Sequence, residues 1–261
     1  MIQRAVLPSD SSGAPGGFLV QVDGRDQSLV FPDDPTRLSF DYVRRMGDVL
    51  DALGTPGEPL RAVHVGGAGL TLPRYVAATR PRSRQIVLEP DEELTDLVRT
   101  ALPLPPRSGI RIRPVDGRAG VASLHADYAD VVVVDAYTDG EVPAELATAS
   151  FLADLARVLT ADGVVLYNLA DRAPFGLARD VVAGLRAAHA SIAVSAEPAT
   201  LRGRRPGNLL LVAGERVPLE ALQRSATTSA APYRVLDERQ VSDRLGGGRP
   251  RDDVRRPLPR L

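Results

Sequence analysis

The chain has 261 residues, 44% of them hydrophobic, and a formal net charge of −1 from 32 basic and 33 acidic residues. That size suits one large domain, or one domain with an appendage, around a sizeable core, and the balanced charge argues against bulk electrostatic binding to nucleic acid. Cysteine is absent, which excludes disulfides, thiolate metal sites and a cysteine nucleophile, and every basic residue is arginine, a GC-rich coding bias that also removes Schiff-base and P-loop lysines.

Residues 1–16 close on SDSSGAPG and read as a flexible lead-in. They show no apolar signal core, and no run reaches membrane-spanning length, so a soluble, cytoplasmic protein is expected. Residues 17–31 read as a β-hairpin turning at Asp23-Gly24. Asp33-Asp34-Pro35 is expected to cap a helix from about Thr36, with Leu38, Tyr42, Met46, Val49 and Leu50 on one face.

The stretch 61–89 organises the rest. Val63 and Val65 belong to a short strand, Gly66, Gly67 and Gly69 form a turn, residues 70–79 suit a helix, and residues 85–88 form a strand ending at Glu89. A glycine turn lets a backbone approach a ligand, a helix opening there points free N–H groups at it, and an acid about 20 residues on can accept from ribose hydroxyls. The spacing predicts a nucleoside-containing cofactor. The alternative is an ordinary βα turn with a solvated Glu89.

The rhythm continues with a helix over 90–102, a strand over 110–115 ending at Asp116-Gly117, and a helix over 119–125. An apolar strand over 130–134 ends at Asp135. A helix over 144–159 and strands over 164–169, 191–196 and 208–212 follow, with a helix over 175–189 between. Alternating strands and helices predict an α/β sandwich whose ligands sit at the carboxyl ends of a mostly parallel sheet. Gly66 to Gly69, Glu89, Asp116 and Asp135 all collect there. His64, His125 and His189 lack metal-ligand spacing and read as strand or helix residues, so no metal is expected. Residues 219–222 and 233–236 are expected at the sheet edge. Residues 245–261, rich in glycine, proline and arginine, are expected to be disordered, either a solvated tail or one that binds acidic partners.

A dinucleotide enzyme would carry a third glycine where Leu72 stands. Seven strands, the last following a sixth strand and a loop, match the order of S-adenosylmethionine-dependent methyltransferase-like Rossmann folds. The chain then resembles the spermidine synthases, polyamine aminopropyltransferases, and especially their short members from high-GC bacteria. Residues 18–215 carry the likeness. Asp23-Gly24-Arg25-Asp26-Gln27 resembles a hairpin whose glutamine faces the cofactor, here Gln27. Phe40-Asp41-Tyr42 resembles the segment whose tyrosine lines the amine site. Gly66-Gly67-Ala68-Gly69 matches the glycine loop, Glu89 the ribose-holding acid, Asp116-Gly117 the pair beside adenine, and Asp135 the first aspartate of the catalytic loop.

The resemblance implies aminopropyl transfer from decarboxylated S-adenosylmethionine to a di- or polyamine such as putrescine. Asp135 would be the base and Tyr42 would orient the nitrogen, with Asp139 or Glu141 holding the distal amine. A plain loop cap for Asp135, a core position for Tyr42 and solvated loop acids remain the alternatives. The chain departs from the family pattern where Gly69 replaces an aspartate, Thr138 replaces the catalytic loop's second aspartate, Gly140 and Glu141 replace the proline that follows, and Val43 and Arg44 replace a glutamine and a glutamate. An arginine at position 44 would repel a cationic substrate. Two other readings therefore stand, an S-adenosylmethionine-dependent methyltransferase and a silent nucleoside- or polyamine-binding relative. The expected organisation is an N-terminal β-hairpin and helix over 1–58, a Rossmann-like catalytic domain over 59–215 and a C-terminal extension over 216–261. The expected partners are small molecules, with no nucleic acid or membrane, and a homodimer through the hairpin edges.

Overall fold

Val131 to Val134 are all buried, alternately against one hydrophobic cluster and another. A strand apolar on both faces must be covered on both sides, which gives a sheet between two helical layers. The computed structural model describes residues 2–9 and 15–253. In chain order its elements are β1 (Arg4–Pro8), β2 (Phe18–Val22), β3 (Arg25–Val30), α1 (Asp41–Asp51), β4 (Arg61–Val65), α2 (Thr71–Thr79), β5 (Arg84–Leu88), α3 (Glu92–Ala101), β6 (Ile110–Arg113), α4 (Gly117–Ala122), β7 (Ala129–Val134), α5 (Ala149–Val158), β8 (Leu159–Asp171), α6 (Gly176–Ala188), β9 (Ser191–Ala196), α7 (Pro198–Leu201), β10 (Gly207–Gly214), α8 (Leu219–Thr228), β11 (Arg234–Leu236) and α9 (Glu238–Leu245).

The large sheet has the order β11-β9-β10-β8-β7-β4-β5-β6. Strands β6, β5, β4, β7 and β8 run parallel, while β10, β9 and β11 extend the β8 edge by antiparallel pairing. Helices α1, α2 and α8 pack on one face, with Met46, Val76 and Leu222 in the core. Helices α4, α5, α6 and α9 pack on the other, with Val121, Phe151, Leu185 and Val241. The sheet thus has eight strands, not the predicted seven. Three residues of β11 are too few to show a period, and their pairing to β9 is what makes them a strand.

The N-terminal piece is a three-stranded antiparallel sheet rather than a hairpin alone. Asp23 and Gly24 both take positive φ, the geometry of the tight hairpin turn the sequence signals. Arg4–Pro8, expected to be part of a flexible lead-in, instead pairs with β2. Its side chains are half-buried or exposed, so it carries little apolar signal of its own. What holds it is long-range: the Arg4 guanidinium pairs with Asp91 at 2.8 Å, at the start of α3. Residues 10–14 of the expected lead-in lie outside the described residues. Val20 and Val30 pack with Leu70, Val87 and Leu94, which seats this sheet over the β4–α2 turn.

Helix α1 begins at Asp41, five residues later than predicted. The Asp34 carboxylate accepts from the Thr36 N–H and hydroxyl, at 3.2 and 2.6 Å, closing a local Asp turn instead of capping a helix. At the other end of α1 lies Arg80, 2% exposed. Its guanidinium donates to the carbonyls of Leu50, Leu53, Glu58 and Thr55 at 2.6, 2.5, 3.1 and 3.2 Å, so a cation from the end of α2 closes the carbonyl end of α1.

Residues 246–253, expected to be disordered, are docked. Arg251 pairs with Asp180 at 3.0 Å, and its carbonyl accepts from the Ala149 N–H at 2.8 Å. Composition pointed to disorder, but a short extended segment can be held by the backbone of α5 and the side chains of α6. Residues 254–261 of that expectation lie outside the described residues.

Candidate active site

Strands β4, β5 and β7 end at Val65, Leu88 and Val134, and the residues that follow each one meet at the carboxyl edge of the sheet. Gly66, Glu89 and Asp135 line a cleft of about 760 Å³, whose other walls come from β3, the start of α1 and the loop after β7. Gly66 has φ +95°, and a Cβ there would lie 2.3 Å from the Asp135 carbonyl oxygen. The two strand ends can approach this closely only because residue 66 has no side chain.

Glu89 turns back onto the glycine loop. Its Oε2 accepts from the Gly67 and Ala68 N–H groups at 2.8 and 3.2 Å, and Oε1 from the Asp91 N–H at 3.0 Å. The Gly69 N–H donates to Ser28 Oγ at 3.1 Å. The loop's N–H groups were expected to be free for a ligand; these three are taken by side chains of the protein.

Asp135 accepts from Asn168 Nδ2 at 2.9 Å. Burial pushes its carboxyl up to about 6, with the Asn168 bond working the other way. Tyr42 and Tyr137 stand beside it. Burial, reinforced by the Asp135 charge, raises both phenols above their ordinary value, so both hold their protons at neutral pH. The Thr71 hydroxyl is buried in this wall without a hydrogen-bond partner, and the buried Tyr137 hydroxyl lies beside the Ala170 backbone and the Asn208 side chain. His64 also faces the cleft. It is 2% exposed, bonds Gln85 Oε1 at 3.0 Å, and is pulled down to about 4 by burial.

Of the other predicted site residues, Gln27, Gly67, Asp116, Gly117 and Asp139 line the same cleft. Asp116 also caps α4, accepting from the Ala119 N–H at 2.8 Å. Gly69 and Glu141 do not line it. Gly69 is packed under β3, where a Cβ would meet Ser28 Cβ and Val30 Cγ2 at 2.7 Å, so an aspartate there would not fit the present packing. Glu141 is exposed, its backbone paired with Thr138 across a tight turn. The expected repulsion by Arg44 is corrected: Arg44 is ion-paired with Asp41 and is not part of the wall. The sequence reading missed Asn168, Asn208, Tyr137 and Thr71. Its one available signal was Asn168, a lone amide in the apolar run of β8.

Asp23, Asp26, Glu89, Asp91, Asp116, Asp135, Asp139 and Glu145 contribute carboxylates to the cleft, against Arg25 as its single arginine among the described residues. Such a surface favours cations and rejects phosphates. Among the described residues no group of three His, Cys, Asp or Glu is placed to hold a metal, and no helix is long and apolar enough to cross a membrane.

Fold and site together define an α/β protein of the methyltransferase-like Rossmann class with an acid-lined cleft at its topological switch. No protein-family model matches the chain. A polyamine aminopropyltransferase from Vibrio vulnificus is 26% identical over 154 residues, which span 58% of this chain and 50% of that protein. The chain therefore matches only half the length of this curated relative. The crystal structure of a probable spermidine synthase from Corynebacterium glutamicum superposes with a TM-score of 0.88 at 27% identity, covering 100% of this chain and 95% of the other. Human methyltransferase-like protein 13, solved in complex with SAH, shares the fold at a TM-score of 0.58 and 23% identity, over 78% of this chain and 99% of that one. The chain is thus similar to a polyamine aminopropyltransferase over part of its length and to a probable spermidine synthase over all of it, which supports its being a spermidine synthase-like family member.

Proposed function

We propose that the cleft transfers an aminopropyl group from decarboxylated S-adenosylmethionine to a di- or polyamine such as putrescine. The observation that carries this reading is a cleft lined by carboxylates, with the buried Asp135 among them. Both substrates are cations, a sulfonium and an ammonium, and both are drawn to such a site. An ammonium must lose a proton before it attacks. A carboxyl held near 6 is ionised at neutral pH yet more basic than a solvent-exposed aspartate, which suits a general base. The C–N bond forms as the C–S bond breaks, methylthioadenosine leaves with the bonding pair on sulfur, and the amine's proton passes to Asp135. Tyr42 orients the nitrogen, and Asp139 holds the distal amine at the cleft mouth. Glu89 accepts from the ribose hydroxyls with the lone pairs that its backbone donors leave free. Gln27 faces the cofactor, Asp116 and Gly117 flank its adenine, and the unpartnered Thr71 hydroxyl supplies a further hydrogen bond to the nucleoside.

The test is incubation of the purified chain with decarboxylated or ordinary S-adenosylmethionine and a panel of amines, with mass spectrometry of the products. Methylthioadenosine released only when an amine is present supports the proposal and names the acceptor. S-adenosylhomocysteine would move the case to methyl transfer, a reading favoured by the absence of an acid at Gly69. Neither product, from a folded chain that binds methylthioadenosine, leaves the silent binding reading.

The Glu89 assignment has its own check. Glu89→Ala should weaken methylthioadenosine binding by calorimetry about 10- to 100-fold, the range for hydrogen bonds to a charged acceptor. Glu89→Gln should recover only part, because an amide cannot accept at both ends. Unchanged affinity in the alanine variant would remove Glu89 from the ribose.

A further inference from the structure

Asp135 sits at the end of a chain of side-chain amides that continues away from the cleft. Asn168 Nδ2 donates to Asp135 Oδ1 at 2.9 Å, and Asn208 Nδ2 donates to Asn168 Oδ1 at 3.2 Å. Asn168 is 1% exposed, on a strand whose other residues from Val164 to Leu169 are apolar or aromatic. A buried amide in such a run must find partners for both of its ends. The two ends are not equivalent here. In this arrangement Asn208 donates to the Asn168 oxygen, which leaves the Asn168 NH2 to donate to the carboxylate. Asn208 is itself tied down through its backbone: its carbonyl accepts from Arg45 at 3.1 Å, and the same guanidinium donates to the Ser195 carbonyl at 2.6 Å. Arg45 lies one turn after Tyr42 on α1. The strand ends of β8, β9 and β10 and the helix that carries Tyr42 are thereby joined in one polar network.

We infer that Asn168, held in orientation by Asn208, is a positioning residue that keeps the Asp135 carboxylate ionised and aimed into the cleft. The inference rests on the reading of Asp135 as the proton acceptor. With the amide flipped, Asn168 would present an oxygen to a carboxylate oxygen, and only a protonated Asp135 could satisfy it. An ionised Asp135 and an Asn208 donating to the Asn168 oxygen both disfavour that alternative. The other ionisable groups around Asp135 are Tyr42 from α1 and Tyr137 from its own loop, both protonated, with Glu89, Asp116, Asp139 and the neutral His64 around the same cleft. The hydrogen bond to the Asp135 side chain comes from the Asn168 amide and from none of these groups.

The test pairs Asn168→Leu with the milder Asn208→Ala and reads two quantities in each. The first is the acidic limb of the rate of methylthioadenosine release against pH. The second is the titration of the Asp135 carboxyl carbon by NMR, which needs no turnover. Losing a hydrogen bond to a charged acceptor should move both upward by about one pH unit in Asn168→Leu. Asn208→Ala should move both in the same direction by less, and Asn168→Gln should recover part of the shift if its amide reaches the carboxylate. An unmoved Asp135 titration in folded Asn168→Leu overturns the inference. If the wild type released no methylthioadenosine, the proposed function would fail, and the NMR titration would still decide whether Asn168 sets the charge of Asp135.

Discussion

Asp135→Asn should abolish turnover and at the same time make the protein more stable at neutral pH. The loss follows from the proton. An amide of the same shape can still accept from Asn168, but it cannot take a proton from an ammonium, and the rate should fall about 10³-fold, within the usual range for a general base. The gain follows from linkage. The Asp135 carboxyl titrates at about 6 in the folded protein against 3.8 as its ordinary value. The folded state therefore binds more protons than the unfolded state between those limits. Its stability is fully present below 3.8 and is lost as pH rises through 6, because ionising the buried group is costly. The asparagine never ionises. At pH 7 the variant should be more stable by about 2 to 3 kcal/mol, and at pH 4 the difference should close.

His64 makes the comparison necessary. Its folded value of about 4 lies below the ordinary 6.5, so its contribution has the opposite sign: present above 6.5, and lost as pH falls through 4. In the wild type the two slopes oppose each other over nearly the same window, and a single pH–stability curve would show little. Wild type and Asp135→Asn share His64, so their difference in urea unfolding at pH 4 and pH 7 isolates the aspartate. Retained full activity would end the role of Asp135 as base. Equal stability at pH 7 would mean that its carboxyl is not held in a costly state.

The second large effect is structural. Arg80→Met should lower stability by about 3 to 5 kcal/mol. The side chain is buried, and its donors go to backbone carbonyls at the end of α1 and in the loop after it. Removing the guanidinium strands several buried acceptors at once, and methionine cannot replace any of them. Arg80→Lys should lie between, since one ammonium cannot reach the same spread of carbonyls. Urea midpoints at an unchanged slope measure this. A loss under about 1 kcal/mol in the methionine variant would show that water or a shifted loop satisfies those carbonyls.

Much of the molecule was legible in the residues because it depends on local patterns. The alternation of strands and helices, the apolar run over Val131 to Val134 and the Asp23-Gly24 turn are properties of short windows. So is the placement of Gly66, Glu89, Asp116 and Asp135 just after strands, where an α/β sheet brings them to one edge. Other features depend on partners distant in sequence. Arg4–Pro8 is a strand because β2 lies beside it and Asp91 holds its arginine, and β11 is a strand because β9 offers an edge. The docking of residues 246–253 is likewise made by Asp180 and Ala149.

The chemistry of the site divides along the same line. By itself the sequence determined which acids stand at strand ends, and that no lysine or cysteine competes for the reaction. Only the tertiary structure decided which of those acids share a cleft. It also decided that Glu89 spends part of its charge on the Gly67 and Ala68 N–H groups, that Gly69 is closed off by Ser28 and Val30, and that Arg44 faces elsewhere. The physical reason is that the position of an acid follows from secondary structure, whereas its proton affinity follows from burial and from the dipoles around it. For Asp135 those come from Asn168 and Asn208, 33 and 73 residues away along the chain, brought within hydrogen-bond reach by the pairing of β7, β8 and β10.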